Sequence, residues 1–141
     1  MEGRQSTEIK VWVNGTFDVL HRGHLELLEF ASSLGEVRVG VDYDSRVKEL
    51  KGDERPVNMW SDRCYFLSRI VGINSVVGFG TDFELEEQIR KWSPDYLVVG
   101  SDYRDKKVFG SEYAKNVIFF DKIDGYSSTK IINYGKDISN R

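Results

Sequence analysis

The sequence predicts an α/β fold, a single doubly wound domain built on a five-stranded parallel sheet, and three observations point to it. Short runs rich in Val, Ile and aromatic residues alternate with stretches of helical spacing along the whole chain. The strand-like runs are almost continuously apolar, the pattern of strands covered on both faces. No repeat, low-complexity tract or interdomain linker interrupts the 141 residues, so residues 1–141 read as one domain with a core over about 9–133 and loose tails.

In order, the expected strands are Ile9–Asn14, Val37–Asp42, Ser75–Phe79, Tyr96–Gly100 and Val117–Asp121. Between the first two, Leu25, Leu28 and Ala31 recur at three-residue steps, with Leu27 and Leu34 widening the same helical face. Leu67, Ile70 and Val71 mark a second helix, starting near the capping residues Ser61 and Asp62. Phe83, Glu86, Gln88, Ile89 and Trp92 suggest a third, closed by Ser93-Pro94, because proline cannot continue a helix. A last short helix is expected from Ser127 or Ser128, and Asp42–Asn58 reads as a charged surface loop.

Composition narrows the function. Apolar residues make up 40% and charged residues 30%, with a formal net charge of -3, which argues against general nucleic-acid binding. No apolar run approaches the ~20 residues of a membrane span, and the polar start has no secretory core, so a cytoplasmic protein is expected. The single cysteine, Cys64, lies in an apolar stretch and reads as core filling, not as a nucleophile.

Ligands of doubly wound sheets bind outside the carboxyl ends of the strands, and the informative residues do follow strands. After the first comes Asn14-Gly15-Thr16-Phe17-Asp18-Val19-Leu20-His21-Arg22-Gly23-His24, then a helix. Gly15 and Gly23 let backbone approach a ligand, and a helix start attracts phosphate. Both histidines of the protein sit here. Taken alone they could bond backbone in a structural role. A metal site lacks a third Cys or His ligand nearby, so no metal ligands are assigned.

This Gly-Thr-Phe-Asp stretch followed by His-x-Gly-His resembles the signature of the cytidylyltransferase-like nucleotidyltransferases. The resemblance implies a Rossmann-like fold and an enzyme that joins a nucleoside triphosphate to a small phosphorylated acceptor, releasing pyrophosphate. It implies that His21 and His24 contact the triphosphate, that Asn14, Gly15, Thr16, Phe17 and Gly23 form its cradle, and that Asp18 is more structural than catalytic. Leu50-Lys51-Gly52-Asp53-x-Arg55-Pro56-Val57-Asn58 is similar to a loop of the bacterial heptose-1-phosphate adenylyltransferases. Phosphate-reaching roles fall by that similarity on Lys48 and Lys51, and a further site role on Arg63.

At the fourth strand's end, Gly100-Ser101-Asp102-Tyr103 resembles the family's nucleotide-holding turn, implying roles for Gly100 and Asp102. Tyr126-Ser127-Ser128-Thr129 looks like the family's triphosphate-binding helix cap. The resemblance further implies a magnesium ion (Mg2+) bound mainly through the nucleotide, and a homodimer. ATP with a sugar phosphate such as heptose 1-phosphate is the favoured pair. The alternatives are a CTP-dependent cytidylyltransferase acting on glycerol-3-phosphate or an alcohol phosphate, and a non-catalytic nucleotide-binding module.

Overall fold

The computed structural model describes residues 8–121. Among them, five parallel strands form one sheet: β1 (Lys10–Gly15), β2 (Glu36–Asp42), β3 (Ile73–Phe79), β4 (Tyr96–Gly100) and β5 (Asn116–Phe120). Their order is β3-β2-β1-β4-β5, so the chain builds outward from β1 in one direction and then returns to its other side. The helices are α1 (Arg22–Leu34), α2 (Asp44–Lys51), α3 (Trp60–Ser68) and α4 (Asp82–Trp92). The doubly wound, five-stranded α/β architecture is the one expected.

Alternation along β1 shows how the sheet is covered on both faces. Val11 and Val13 join Val37, Val39, Val41 and Val98 under α1 and α3, which contribute Leu28, Ala31 and Leu67. Trp12 points the other way, into a cluster with Phe79, Leu97 and the Leu85, Ile89 and Trp92 face of α4. Fully burying one such aliphatic or aromatic side chain contributes roughly 1.5–3 kcal/mol, so these two layers carry the fold. The covering helices change face where the strand order reverses, between β1 and β4. That reversal opens a crevice at the carboxyl end of β1.

Four local expectations need correction. The stretch after β2 is not a plain loop, because Asp44–Lys51 is helical, with Asp44 in its first turn, Lys48 and Lys51 in its last, and Gly52 beyond (φ 100°). Its signals were start-and-stop chemistry, carried by only one buried residue, Val47. Ser61 and Asp62 do not cap α3. Its N-cap is Met59, which has no capping side chain, and the carboxylate of Asp44 receives the Trp60 N–H instead, at 2.8 Å.

Helix α3 also ends at Ser68, leaving Val71 93% exposed in a turn that Gly72 (φ 94°) directs into β3. On α4 the inward face is Leu85, Ile89 and Trp92, whereas Phe83 stays in solvent. Thr81 caps this helix by accepting from the Glu84 N–H at 3.0 Å. The helix expected from Ser127 or Ser128 lies outside the described residues.

Gly40 sits at the middle of β2, where a Cβ would lie 2.5 Å from the buried Trp12 ring. Gly40→Ala should therefore destabilise the fold by about 1–3 kcal/mol, the usual cost of overpacking a tight core. Urea denaturation measures this, and an unchanged midpoint would show that the indole can move aside freely.

Candidate active site

The loop between β1 and α1 is bent sharply. Phe17 and Val19 both adopt left-handed backbone (φ 52° and 55°), uncommon for any side chain and an outlier for a β-branched one. Each such residue costs on the order of 1–3 kcal/mol and persists only where its surroundings hold it. Here they turn Asp18, between them, into the interior, where it is 1% exposed. Its carboxylate accepts the backbone N–H groups of Val57 (2.6 Å) and Asn58 (2.8 Å) and the Arg55 Nε (3.3 Å). One side chain thus fastens the β1 loop to the α2–α3 connection, which contains a cis Arg55–Pro56 peptide.

A buried arginine secures the same junction from the other side. Arg63 is fully enclosed, and its guanidinium donates to the Asn58 carbonyl, the Thr16 carbonyl and the Asp44 carboxylate at 2.8–2.9 Å. The Thr16 hydroxyl donates to Asp42 at 3.1 Å. Burial raises the Asp42 pKa, and the Thr16 hydroxyl, Arg46, Lys51 and Arg63 offset only part of that effect.

The two histidines form the start of α1. His21 is the N-cap, and its Nδ1 accepts the Gly23 N–H at 3.1 Å; the Nδ1 of His24 accepts the His21 N–H at 3.2 Å. This is a capping box made by two imidazoles. Because each Nδ1 is an acceptor, the ring proton of the neutral form must sit on Nε2, giving each ring an outward-facing N–H donor. The rings stack, with centroids 3.9 Å apart, and Phe17 packs against His24 at 5.5 Å.

Beside this cap lies a cavity of about 350 Å³. Asn14, Gly15, Thr16, Phe17, Asp18 and His24 line it from β1 and its loop. On the β2 side it is bounded by Asp42, Arg46, Leu50, Lys51 and Arg55. On the β4 side come Gly100, Tyr103, Lys107, Val108 and Phe109. The β2 side thus carries three cations, and the β4 side is mainly apolar and aromatic with one cation, Lys107, a combination suited to phosphate groups and a flat ring.

Most of the residues singled out from the sequence converge here. Asn14, Gly15, Thr16, Phe17, His24, Lys51 and Gly100 line the cavity. His21 and Gly23 complete the cap. Lys48 is exposed on α2 and does not line the cavity, and neither does the buried Arg63, whose bonds make it a positioning residue for Thr16. Asp102 lies in the short 3-10 turn Ser101–Tyr103 after β4. Tyr126, Ser127, Ser128 and Thr129 lie outside the described residues.

The sequence reading missed Arg46, Arg55, Asp42 and Phe109 as lining residues. Nothing in a charged stretch reveals which arginine turns inward until Asp18 is known to pull on it. Cys64 is half-buried on α3, and burial pushes its thiol pKa up, which keeps it protonated and a poor nucleophile.

Comparison with known proteins follows the same residues. A family model described as Cytidylyltransferase-like matches residues 12–134. The Bifunctional protein HldE of Campylobacter fetus is 45% identical over 130 residues, covering 92% of this chain and 28% of that protein. The Bifunctional protein HldE of Helicobacter hepaticus is also 45% identical, over 86% of this chain and 25% of its own length. The chain thus spans about a quarter of the curated relatives it matches. Among solved structures, a lipopolysaccharide core biosynthesis protein from Thermoplasma volcanium superimposes with a TM-score of 0.65 at 22% identity, covering 85% of this chain and 99% of its own. A pantoate-beta-alanine ligase from Francisella tularensis gives 0.58 at 14% identity, over 96% and 73%. At these identities the structural likenesses speak for the fold alone.

Removing the carboxylate at the loop junction should be severe. Asp18→Ala leaves two part-buried N–H groups and a buried guanidinium uncompensated, so stability should fall by about 3–5 kcal/mol, the range for breaking a buried charged pair. Chemical denaturation gives the number, and a loss below about 1 kcal/mol would mean that the loop is held by something else.

Proposed function

The chain belongs to the cytidylyltransferase-like family, and from that membership we propose that it transfers a nucleoside monophosphate from a triphosphate, with ATP favoured, to a sugar phosphate such as heptose 1-phosphate, releasing pyrophosphate. The observation that carries this reading is the stacked His21–His24 cap at the start of α1, opening on a cavity that is cationic at one end and aromatic at the other. The likeness of the Leu50–Asn58 loop to that of the heptose-1-phosphate adenylyltransferases supports the heptose-type acceptor over an alcohol phosphate.

An acceptor phosphate oxygen is already a competent nucleophile. The chain's task is to hold it in line with the α-phosphorus and to stabilise charge moving onto the leaving pyrophosphate. The His21 and His24 Nε2–H donors and the positive end of the α1 dipole meet that charge without needing to change protonation state. Lys51 supplies a cation from the end of α2, and Thr16, locked by Arg63 and Asp42, fixes the backbone of the cradle. Gly100 and the residues after β4 leave room for the base.

A magnesium ion belongs to this reading, neutralising phosphate charge when the nucleotide carries it in. Among the described residues, no three His, Cys, Asp or Glu side chains stand together as a metal site. The lining carboxylates Asp18 and Asp42 are occupied by Arg55 and by Arg46 and Thr16. The donor set therefore fits an ion whose ligands are phosphate and water.

A reaction that draws on triphosphates fits a cytoplasmic protein. Among the described residues no helix is long and apolar enough to cross a membrane. A homodimer completes the reading. Tyr65, Phe66 and Val71, on α3 and the turn after it, are 57%, 44% and 93% exposed and offer apolar surface to a second copy.

Pyrophosphate release should be fastest with ATP and heptose 1-phosphate when ATP and CTP are each paired with heptose 1-phosphate and glycerol-3-phosphate. A higher specificity constant for CTP with glycerol-3-phosphate would replace the adenylyl reading with the cytidylyl one. His21→Ala and His24→Ala should each lose roughly 10²–10³ in turnover while keeping their circular dichroism, the usual effect of removing one donor to a developing oxyanion. Folded variants with near-normal turnover would remove the histidines from the mechanism. The dimer is checked by sedimentation, where a monomer at micromolar concentration rejects it.

A further inference from the structure

We propose that Arg55 is the binding residue for the acceptor's phosphomonoester, a site on the β2 side of the cavity distinct from the triphosphate site at the histidine cap. Arg55 is 8% exposed, lines the cavity, and has an enclosed Nη2 with no hydrogen-bond partner among the described residues. A buried donor left unmet on a charged group destabilises the fold, so its retention calls for a partner that is bound only part of the time.

The one carboxylate beside it does not fill that need. Asp18 spends its short contacts, 2.6 and 2.8 Å, on backbone N–H groups and meets Arg55 Nε at 3.3 Å, longer than the ~2.7–2.9 Å of a strong charged hydrogen bond. The other lining carboxylate, Asp42, faces Arg46 and Thr16. Arg55 is thus oriented by Asp18 through Nε, while its Nη2 donor stays unmet. A modest rotation of its guanidinium toward the cavity would present Nη2 to an anion, and a guanidinium fork matches the oxygens of a phosphomonoester.

Topology assigns that anion to the acceptor. The histidine cap stands over β1, and the apolar, aromatic half of the cavity follows β4. Arg55 belongs to the opposite half, with Lys51, and its backbone N–H donates to the Gly52 carbonyl at 3.1 Å, which ties it to the end of α2. A nucleotide spanning the cap and the β4 half leaves the β2 half for the second substrate. The assignment rests on the two-substrate reading above and names which cation receives the second one.

Calorimetric titration with inorganic phosphate, in the presence of saturating α,β-methylene-ATP, tests this without turnover. Arg55→Gln and Arg55→Lys should each bind phosphate at least tenfold more weakly than the unmutated protein, with affinity for the nucleotide analogue changed less than threefold. Arg55→Lys keeps a cation beside Asp18 and so preserves the loop while losing the fork. In pyrophosphate-release assays both variants should raise KM for heptose 1-phosphate by at least tenfold and leave KM for ATP within threefold. Equal phosphate binding by variant and unmutated protein overturns the proposal, as does the absence of phosphate binding by the unmutated protein. An equal loss for the nucleotide analogue also overturns it, by moving Arg55 to the triphosphate. If the unmutated protein binds no nucleotide analogue, the transferase reading fails, and the phosphate ratio measured without the analogue still decides the role of Arg55.

Discussion

The Asp18 carboxylate is the constraint on which the site depends. The β1 loop contains two left-handed residues, one of them a valine, and does not favour that shape by itself. Asp18 offsets the cost because its three bonds all form inside the protein, where an unpaired carboxylate would be far more expensive than the strain. The consequences run in two directions. Forward along the chain, the bend fixes where His21 begins α1. Across the chain, it draws the α2–α3 connection onto the mouth of β1 and turns Arg55 inward.

Arg63 shows that the same junction is braced rather than merely pinned. Its three bonds join β1's loop, the start of α2 and the segment leading into α3, all from a fully buried position. Asp44 does double duty there, pairing with Arg63 and capping α3 through the Trp60 N–H. A charged cluster of this kind is weak support for stability in itself, since desolvation opposes much of the attraction. What it supplies is geometry: the Thr16 carbonyl, and with it this wall of the cavity, is held in place.

How much of this was legible in the sequence depended on whether the signal was local. Strands and the α1 and α4 helices were readable because apolar periodicity is written into consecutive residues, as with Leu28 and Ala31 or Ile89 and Trp92. The His21–His24 site was readable as a motif, although its capping-box chemistry was not. Helix α2 escaped because a helix with one buried residue has almost no periodic stripe. The end of α3 escaped because Ile70 and Val71 continue the apolar spacing after the backbone has turned. Arg63 and Arg55 look alike in sequence, each an arginine among polar neighbours. Only the long-range bonds to Thr16 and Asp18, 47 and 37 residues away, make one a brace and leave the other with an unmet donor.

The histidine cap bears on how the proposed reaction would run without a proton-transfer residue. An imidazole free to choose its tautomer would offer a phosphate either a donor or a lone pair, and half of its orientations would repel the anion. At the start of α1 the choice is removed, because both Nδ1 atoms are committed to N–H groups that the helix would otherwise leave unsatisfied. Stacking at 3.9 Å then holds the rings side by side, so two Nε2–H donors are presented together. In the proposed reaction, helix capping and charge stabilisation would be served from opposite ends of the same ring. A substitution that spared the Nε2 donor but not the Nδ1 acceptor would therefore damage both, lowering helix stability and blurring the donor's direction. Glutamine, which offers an amide donor with a freer torsion in place of a ring fixed at Nδ1, is expected to replace neither histidine well.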